Sequence, residues 1–420
     1  MKKMTRIVLF CFVSACVVQA NLGFAAGESD GFVKERLNRI DDAMNAEVAA
    51  GKIPGAVAMI VRNGQTVYHK SFGYADIASK TPMQDDSIFR IASMTKAVTS
   101  VCVMTLYERG HFQLNDPISK YIPQFANPEV LVTANDDGVA TETRPAKREI
   151  RIIDLLTHSA GLGYPFIDSL VQKMYVEHGI IDGLTEKEMR LEDQMVKLAE
   201  MPLLFDPGSA WNYGLNTDLL GRLIEVVSGK SLAQYFADEI FTPLGMTDTH
   251  FYLPPKDFKR LVSLYAGEND ELVPYTDASM TDLGNANYPR VGAMTYYSGG
   301  AGLSSTAYDY ARFIEMLLND GELDGVRVLG RKSVELMRSP RLDMDGDGTA
   351  EFGLGFRITG DIGKSGELGS SGIYQWGGAF NTSYWIDPAE NMIAVFMSQV
   401  RPNQTDITSR FKTLVYQALE

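Results

Sequence analysis

The stretch Phe89-Arg90-Ile91-Ala92-Ser93-Met94-Thr95-Lys96 decides how this chain is read. From Ala92 onward the pattern predicts a helix that begins at or near Ser93 and carries Lys96 one turn along on the same face. A hydroxyl is a weak nucleophile until a base takes its proton, and developing negative charge is favoured at a helix N-terminus. A lysine held close can be that base when burial disfavours its charge, or can stabilise a neighbouring tyrosinate that does the job. Ala97 to Leu106 is mostly apolar, so the helix should be buried and the pair partly desolvated. The spacing alone does not decide the matter. Ser409-Arg410-Phe411-Lys412 repeats it in a terminal stretch read as a surface helix, and a serine opening a helix commonly serves as its N-cap.

Outward from this segment, strand signals sit at both ends of the chain. Phe32, Leu37, Ile40, Met44 and Val48 fall at near-helical spacing, and Gly51 with Pro54-Gly55 ends that helix. Ala56 to Val61 and Thr66 to Phe72 flank Asn63-Gly64, a pair suited to the primed turns of hairpins. A second hairpin is read from Ser383 to Ile386 and Met392 to Ser398, followed by a helix from Asp406 to Leu419. Between the ends, patterns such as Leu219 to Val227 and Tyr308 to Leu318 are helical. The expected fold is therefore α/β of the α+β kind: a mainly antiparallel sheet built from both chain ends, flanked by helices, with an inserted and mostly helical lobe. We place the sheet lobe at about 27–90 and 290–420 and the helical lobe at about 91–289, together one domain over 27–420.

Residues 1–26 read as a leader. Lys2, Lys3 and Arg6 precede an uncharged run from Ile7 to Val18, and small residues follow around Ala20 and Ala25-Ala26. The run is shorter than the roughly 20 residues a membrane span needs, so a secreted or periplasmic protein without a stable span is expected. Val13-Ser14-Ala15-Cys16 resembles a lipobox, which leaves a tether through Cys16 as an alternative. With Cys11 and Cys16 in the leader, Cys102 stands alone among apolar neighbours and reads as a buried, inert thiol. The net charge of −14 contains the three leader cations; without them 36 basic residues face 53 acidic ones, a charge of −17. Such a surface repels phosphate backbones, so a nucleic-acid partner is not expected.

Several ordered blocks resemble the serine β-lactamase-like family, which joins class C β-lactamases, low-molecular-weight penicillin-binding proteins and family VIII carboxylesterases. Besides Phe89 to Lys96, they are Leu155-Leu156-Thr157-His158-Ser159-Ala160-Gly161-Leu162, Pro207-Gly208 through Leu220-Gly221, Leu244-Gly245-Met246 and Gly300 to Thr306. The likeness runs from about Val33 to Gln399. It implies Ser93 as nucleophile, Lys96 as its partner, and Tyr213 as general base or as proton shuttle with the lysine. β-Lactamases commonly read Tyr, any residue, Asn at this second block; here the third position is Leu215, and Asn216 follows one residue out of register. In place of Lys-Thr-Gly the strand edging the site reads Trp376-Gly377-Gly378-Ala379, similar to the Trp-Gly-Gly of family VIII carboxylesterases. By that likeness the oxyanion hole is the backbone N–H groups of Ser93 and Ala379, with Trp376, Gly377, Gly378 and Leu215 lining the substrate site.

The resemblance thus implies hydrolysis of small carboxylic esters through an acyl-enzyme, with no cofactor. Two alternatives stand beside it: β-lactam or D-alanyl-peptide turnover by the same residues, and a non-catalytic sensor that kept the fold. The Gly-x-Ser-x-Gly elbow of α/β-hydrolases is not expected, and the five histidines lack His-Glu-x-x-His spacing, so a zinc site is not expected either. His158 reads as a structural residue at a helix end. Asp343, Asp345 and Asp347 imitate the start of a calcium loop, but its twelfth position is Leu354, and a solvated acidic turn is the expectation.

Overall fold

The computed structural model describes residues 30–135, 140–269, 271–276 and 287–420. The leader reading and the lipobox at Cys16 fall outside them. Helix α1 spans Lys34–Ala49 and buries Leu37, Ile40 and Met44 as their spacing requires. Helix α2 spans Thr95–Glu108, α3 Asn216–Ser228, α4 Ala307–Leu318 and α5 Ile407–Tyr416.

The strands, in chain order, are β1 Gly55–Arg62, β2 Gln65–Asp76, β3 Thr81–Pro82, β4 Phe89–Arg90 and β5 Ser304–Ser305. There follow β6 Leu342–Asp343, β7 Ala350–Phe352, β8 Arg357–Thr359, β9 Tyr374–Gly378, β10 Thr382–Asp387 and β11 Met392–Met397.

Nine of these form one antiparallel sheet in the order β6-β7-β8-β9-β10-β11-β1-β2-β3. The two chain ends meet at its middle, where Val57 to Arg62 pair with Met397 to Met392. The first hairpin closes through Asn63 and Gly64 with φ of 51° and 73°, the positive pair a two-residue primed turn demands. Sheet residues alternate between two apolar layers. Ala56, Ala58, Ile60, Trp385 and Phe396 meet α1 and α5 on one face. Val57, Met59, Tyr384, Val395 and Met397 meet α4 and the remaining helices on the other. Burying each large side chain in these layers contributes roughly 1.5–3 kcal/mol, so the layers fix the sheet's register.

Helix α2 enters the second layer buried from Thr95 to Leu106, as its mostly apolar run from Ala97 predicts, and Cys102 is a free, buried thiol within it. Burial pushes that thiol well above the ordinary cysteine range, which keeps it protonated. Among the described residues no helix is long and apolar enough to cross a membrane.

Candidate active site

The short ladder of β4 with β5 delivers Ser93. Arg90 pairs with Ser304, and the Ile91 N–H donates to the Leu303 carbonyl at 3.0 Å. Buried Arg90 anchors this ladder through the carbonyls of Tyr288 (2.6 Å) and Val262 (3.0 Å). Ala92 then takes φ of +41°, and a 3₁₀ turn over Ala92–Met94 runs into α2. A non-glycine residue in that region costs of order 1 kcal/mol, and the fixed strand before it and buried helix after it hold it there. Ser93 is the only residue from Ile91 to Ser100 that is not buried. The turn lifts one hydroxyl out of an otherwise closed segment.

Lys96 is 3% exposed, and its ammonium has two partners in reach. Nζ donates to the Gly300 carbonyl at 2.7 Å and to Ser93 Oγ at 3.2 Å. It also stands 4.6 Å from the ring centre of Tyr213 and 5.1 Å from that of Tyr164. Contacts of a cation with a ring face are worth about 0.5–2 kcal/mol and leave Nζ little freedom to swing away from Ser93.

Tyr213 lies on the segment that enters α3 and is half-buried. The indole N–H of Trp376 on β9 donates to its hydroxyl oxygen at 3.3 Å, with ring centres 5.4 Å apart. Behind it His158 packs with its ring tilted at 5.0 Å, and Trp211 lies 6.2 Å away and nearly parallel. Phe352 on β7 closes the group edge-on to Trp376 at 5.6 Å. His158 is buried, and its Nδ1 accepts from Asn216 Nδ2 at 2.9 Å. Burial first, and the charge of Lys96 second, push its imidazole well below the ordinary histidine range. His158 is therefore a neutral backing for Tyr213, as its position at a helix end suggested.

Ser93 and Lys96, Tyr213, and Trp376 thus come together from three segments distant in the sequence. Other expected contacts lie elsewhere. Leu215 is completely buried in the core, with its N–H on the Gly163 carbonyl at 3.2 Å, so it packs the head of α3 and faces no substrate. Gly377 alternates with Trp376 along β9, and both border a cleft with Arg357, Gln375 and Lys412. Gly378 does share the face of Trp376, but the space its missing side chain leaves is filled by this chain. A Cβ there would meet the Ile91 carbonyl oxygen and Thr382 Oγ1 at 2.3 Å each. The glycine brings β9 against the turn that carries Ser93.

The remaining motifs are structural. Ser409 and Lys412 lie on α5, where Lys412 pairs with Glu367 at 3.0 Å. Asp343 receives the backbone N–H groups of Asp345, Gly346 and Gly348, and Asp347 that of Thr349. These carboxylates cap their own turn, and among the described residues no cluster fit for a metal ion is found. Gly27-Glu28-Ser29-Asp30-Gly31 does spell Gly-x-Ser-x-Gly just ahead of α1, and its Ser29 lies outside the described residues. Sequence reasoning missed Asp218, Ser298 and Tyr164, which surround Lys96 from below. Only an acidic residue on the buried stripe of α3 signalled the first of them.

The family model described as beta-lactamase matches residues 40–417. Lovastatin esterase of Penicillium rubens is 31% identical over 398 residues, covering 89% of this chain and 96% of that enzyme. Esterase EstB of Burkholderia gladioli is 29% identical over 377 residues, covering 86% and 89%. Among solved structures, EstCE1, described as a hydrolase with promiscuous acyltransferase activity, superposes with a TM-score of 0.78 at 28% identity, over 92% of this chain and 98% of that one. Family model, relatives and fold point the same way: the chain belongs to the beta-lactamase family.

Proposed function

We propose that this protein is a serine hydrolase that cleaves carboxylic esters through an acyl-enzyme on Ser93. The observation that carries the reading is the approach of Lys96 Nζ to Ser93 Oγ at 3.2 Å, with Tyr213 against the same ammonium. Ser93 Oγ attacks the ester carbonyl carbon, and its proton passes to the Lys96–Tyr213 pair. The carbonyl oxygen, now an oxyanion, rests on the backbone N–H groups of Ser93 and Ala379; the close approach of Gly378 to Ile91 supports that pairing. The C–O bond to the alcohol breaks, and the alcohol leaves with the proton held by the pair. Water then attacks the acyl carbon, the same pair takes its proton, and the acid departs as Ser93 regains its hydrogen. No cofactor enters these steps.

Ester specificity is supported by what surrounds Ser93. The strand beside it presents the indole of Trp376 where a lysine and a hydroxyl would anchor a β-lactam carboxylate, and Leu215 offers no amide. The aromatic wall of Trp376, Phe352 and Trp211 suits a small apolar or aryl acyl group. The leader-like sequence of residues 1–26 supports export to the periplasm or beyond. The test compares kcat/KM for p-nitrophenyl butyrate and a chromogenic cephalosporin in wild type and Ser93→Ala. Ester preference that vanishes in the variant is expected. A cephalosporin preference would replace this reading with β-lactam hydrolysis, and activity surviving in Ser93→Ala would overturn the nucleophile.

A further inference from the structure

Beneath Lys96 lies a carboxylate that the proposed chemistry does not use. Asp218 sits in the first turn of α3, five residues after Tyr213, and is completely buried. Its Oδ1 accepts from Ser298 Oγ at 2.7 Å. That serine oxygen in turn accepts the N–H groups of Gly300 at 3.2 Å and Ala301 at 3.0 Å. Gly300 is the residue whose carbonyl holds the Lys96 ammonium at 2.7 Å. The chain of contacts therefore runs from carboxylate to serine to turn to lysine, every member buried.

The packing around this turn is tight. A Cβ on Gly300 would lie 2.5 Å from Asp218 Oδ2 and 2.8 Å from the Tyr164 hydroxyl. Gly299 is clamped as well, its carbonyl accepting from Thr99 Oγ1 of α2 at 2.6 Å. Removing a carboxylate from water with one oxygen lacking a well-formed hydrogen bond is costly unless a positive charge lies nearby. The charged and titratable groups around it are Lys96 on α2, Tyr164 from the segment before α3 and Tyr296 before β5, with Asp182 and Tyr213 beyond them against Tyr164. Lys96 is the only cation among them. The head of α3 adds its own partial positive charge.

We infer that Asp218 is a positioning residue for the Ser93–Lys96 pair: through Ser298 it shapes the turn at Gly300 that holds Nζ toward Ser93 Oγ, and its charge is the buried counterpart of the lysine's. This rests on the proposed role of Ser93 and deepens it. The direction of titration agrees with a site under electrostatic tension. Burial raises the Asp218 carboxyl above the ordinary range, while Ser298 and Lys96 oppose that rise. Burial and then Asp218 push the Tyr164 and Tyr296 phenols well up, so both remain neutral beside the carboxylate.

The test is Asp218→Asn, which keeps shape and the acceptor for Ser298 but removes the charge. Rates with p-nitrophenyl butyrate are measured across about pH 5–10, beside Tm and fluorophosphonate labelling. We expect a folded variant with kcat at least about tenfold lower and KM within about twofold. We also expect the pH profile of kcat/KM to be displaced, because the site loses a buried negative charge. A folded Asp218→Asn with unchanged kcat and unshifted profile overturns the inference, as does a loss confined to KM. If that variant fails to fold, Ser298→Ala decides. A kcat lowered about threefold or more at constant KM supports the inference, and wild-type kcat overturns it. Ser93→Ala run in parallel separates the two claims: esterase activity surviving there sinks the nucleophile itself, whatever Asp218 does.

Discussion

Gly378 and Ile91 touch without a side chain between them: a Cβ on the glycine would stand 2.3 Å from the Ile91 carbonyl oxygen, two residues before Ser93. The contact sets the spacing between β9 and the turn at the head of α2, and so between the Ala379 and Ser93 amides. Gly378→Ala must push strand and turn apart. With reacting groups displaced by about 1 Å, losses near 10²-fold are ordinary. We expect Gly378→Ala to lower kcat on p-nitrophenyl butyrate by about 10²-fold and to lower Tm. Gly377→Ala, on the other face of the sheet, should retain kcat within about threefold.

Trp376 supplies one N–H to the Tyr213 oxygen at 3.3 Å and one ring to the aromatic wall. Trp376→Phe keeps the apolar ring and deletes the donor. A single hydrogen bond of this type is worth about 0.5–1.5 kcal/mol, or roughly two- to tenfold in rate. Steady-state kinetics should show that loss in kcat. Tyr213→Phe should cost far more, about 10²–10⁴-fold, with little change in Tm, because it removes the group proposed to carry the proton.

His158 gives the fold a pH dependence with a defined sign. Its imidazole is held well below the ordinary histidine range by burial and by Lys96, so the native state stays neutral where the unfolded chain takes up a proton. Stability from this residue is therefore full above about pH 6.5 and falls as pH drops below that value, by up to about 1.4 kcal/mol per pH unit. Urea unfolding between about pH 7 and 5 should show a gentler decline in His158→Asn than in wild type. An identical slope would mean that the native state protonates its histidine after all.

Calcium should leave the protein indifferent. The carboxylate of Asp343 is already engaged by three backbone N–H groups of its own turn, and Asp347 by that of Thr349. Millimolar calcium, or its removal by a chelator, is expected to leave Tm unmoved. A rise of several degrees would show that the turn reorganises around the ion.

Much of this was legible because the signals were local. Asn63-Gly64 announces its hairpin through the positive φ both residues require, and the apolar stripe of α1 announces its buried face. Ser93 and Lys96 lie three residues apart, so helix geometry alone brings them together. What escaped the sequence depends on distant segments packing. Nothing near Leu215 says that α3 turns it into the core, and Gly378 looks like open space for a ligand until Ile91 fills it. Asp218 was hidden for the same reason, since its partner Ser298 is 80 residues away.

The most direct test of the central claim is intact-mass analysis of the protein quenched during turnover of a slowly hydrolysed aryl ester, followed by peptide mapping. The account predicts one acyl group per chain, on the peptide containing Ser93, and neither adduct nor turnover in Ser93→Ala. An acyl group mapped to another residue, or ester turnover persisting in Ser93→Ala, would contradict it.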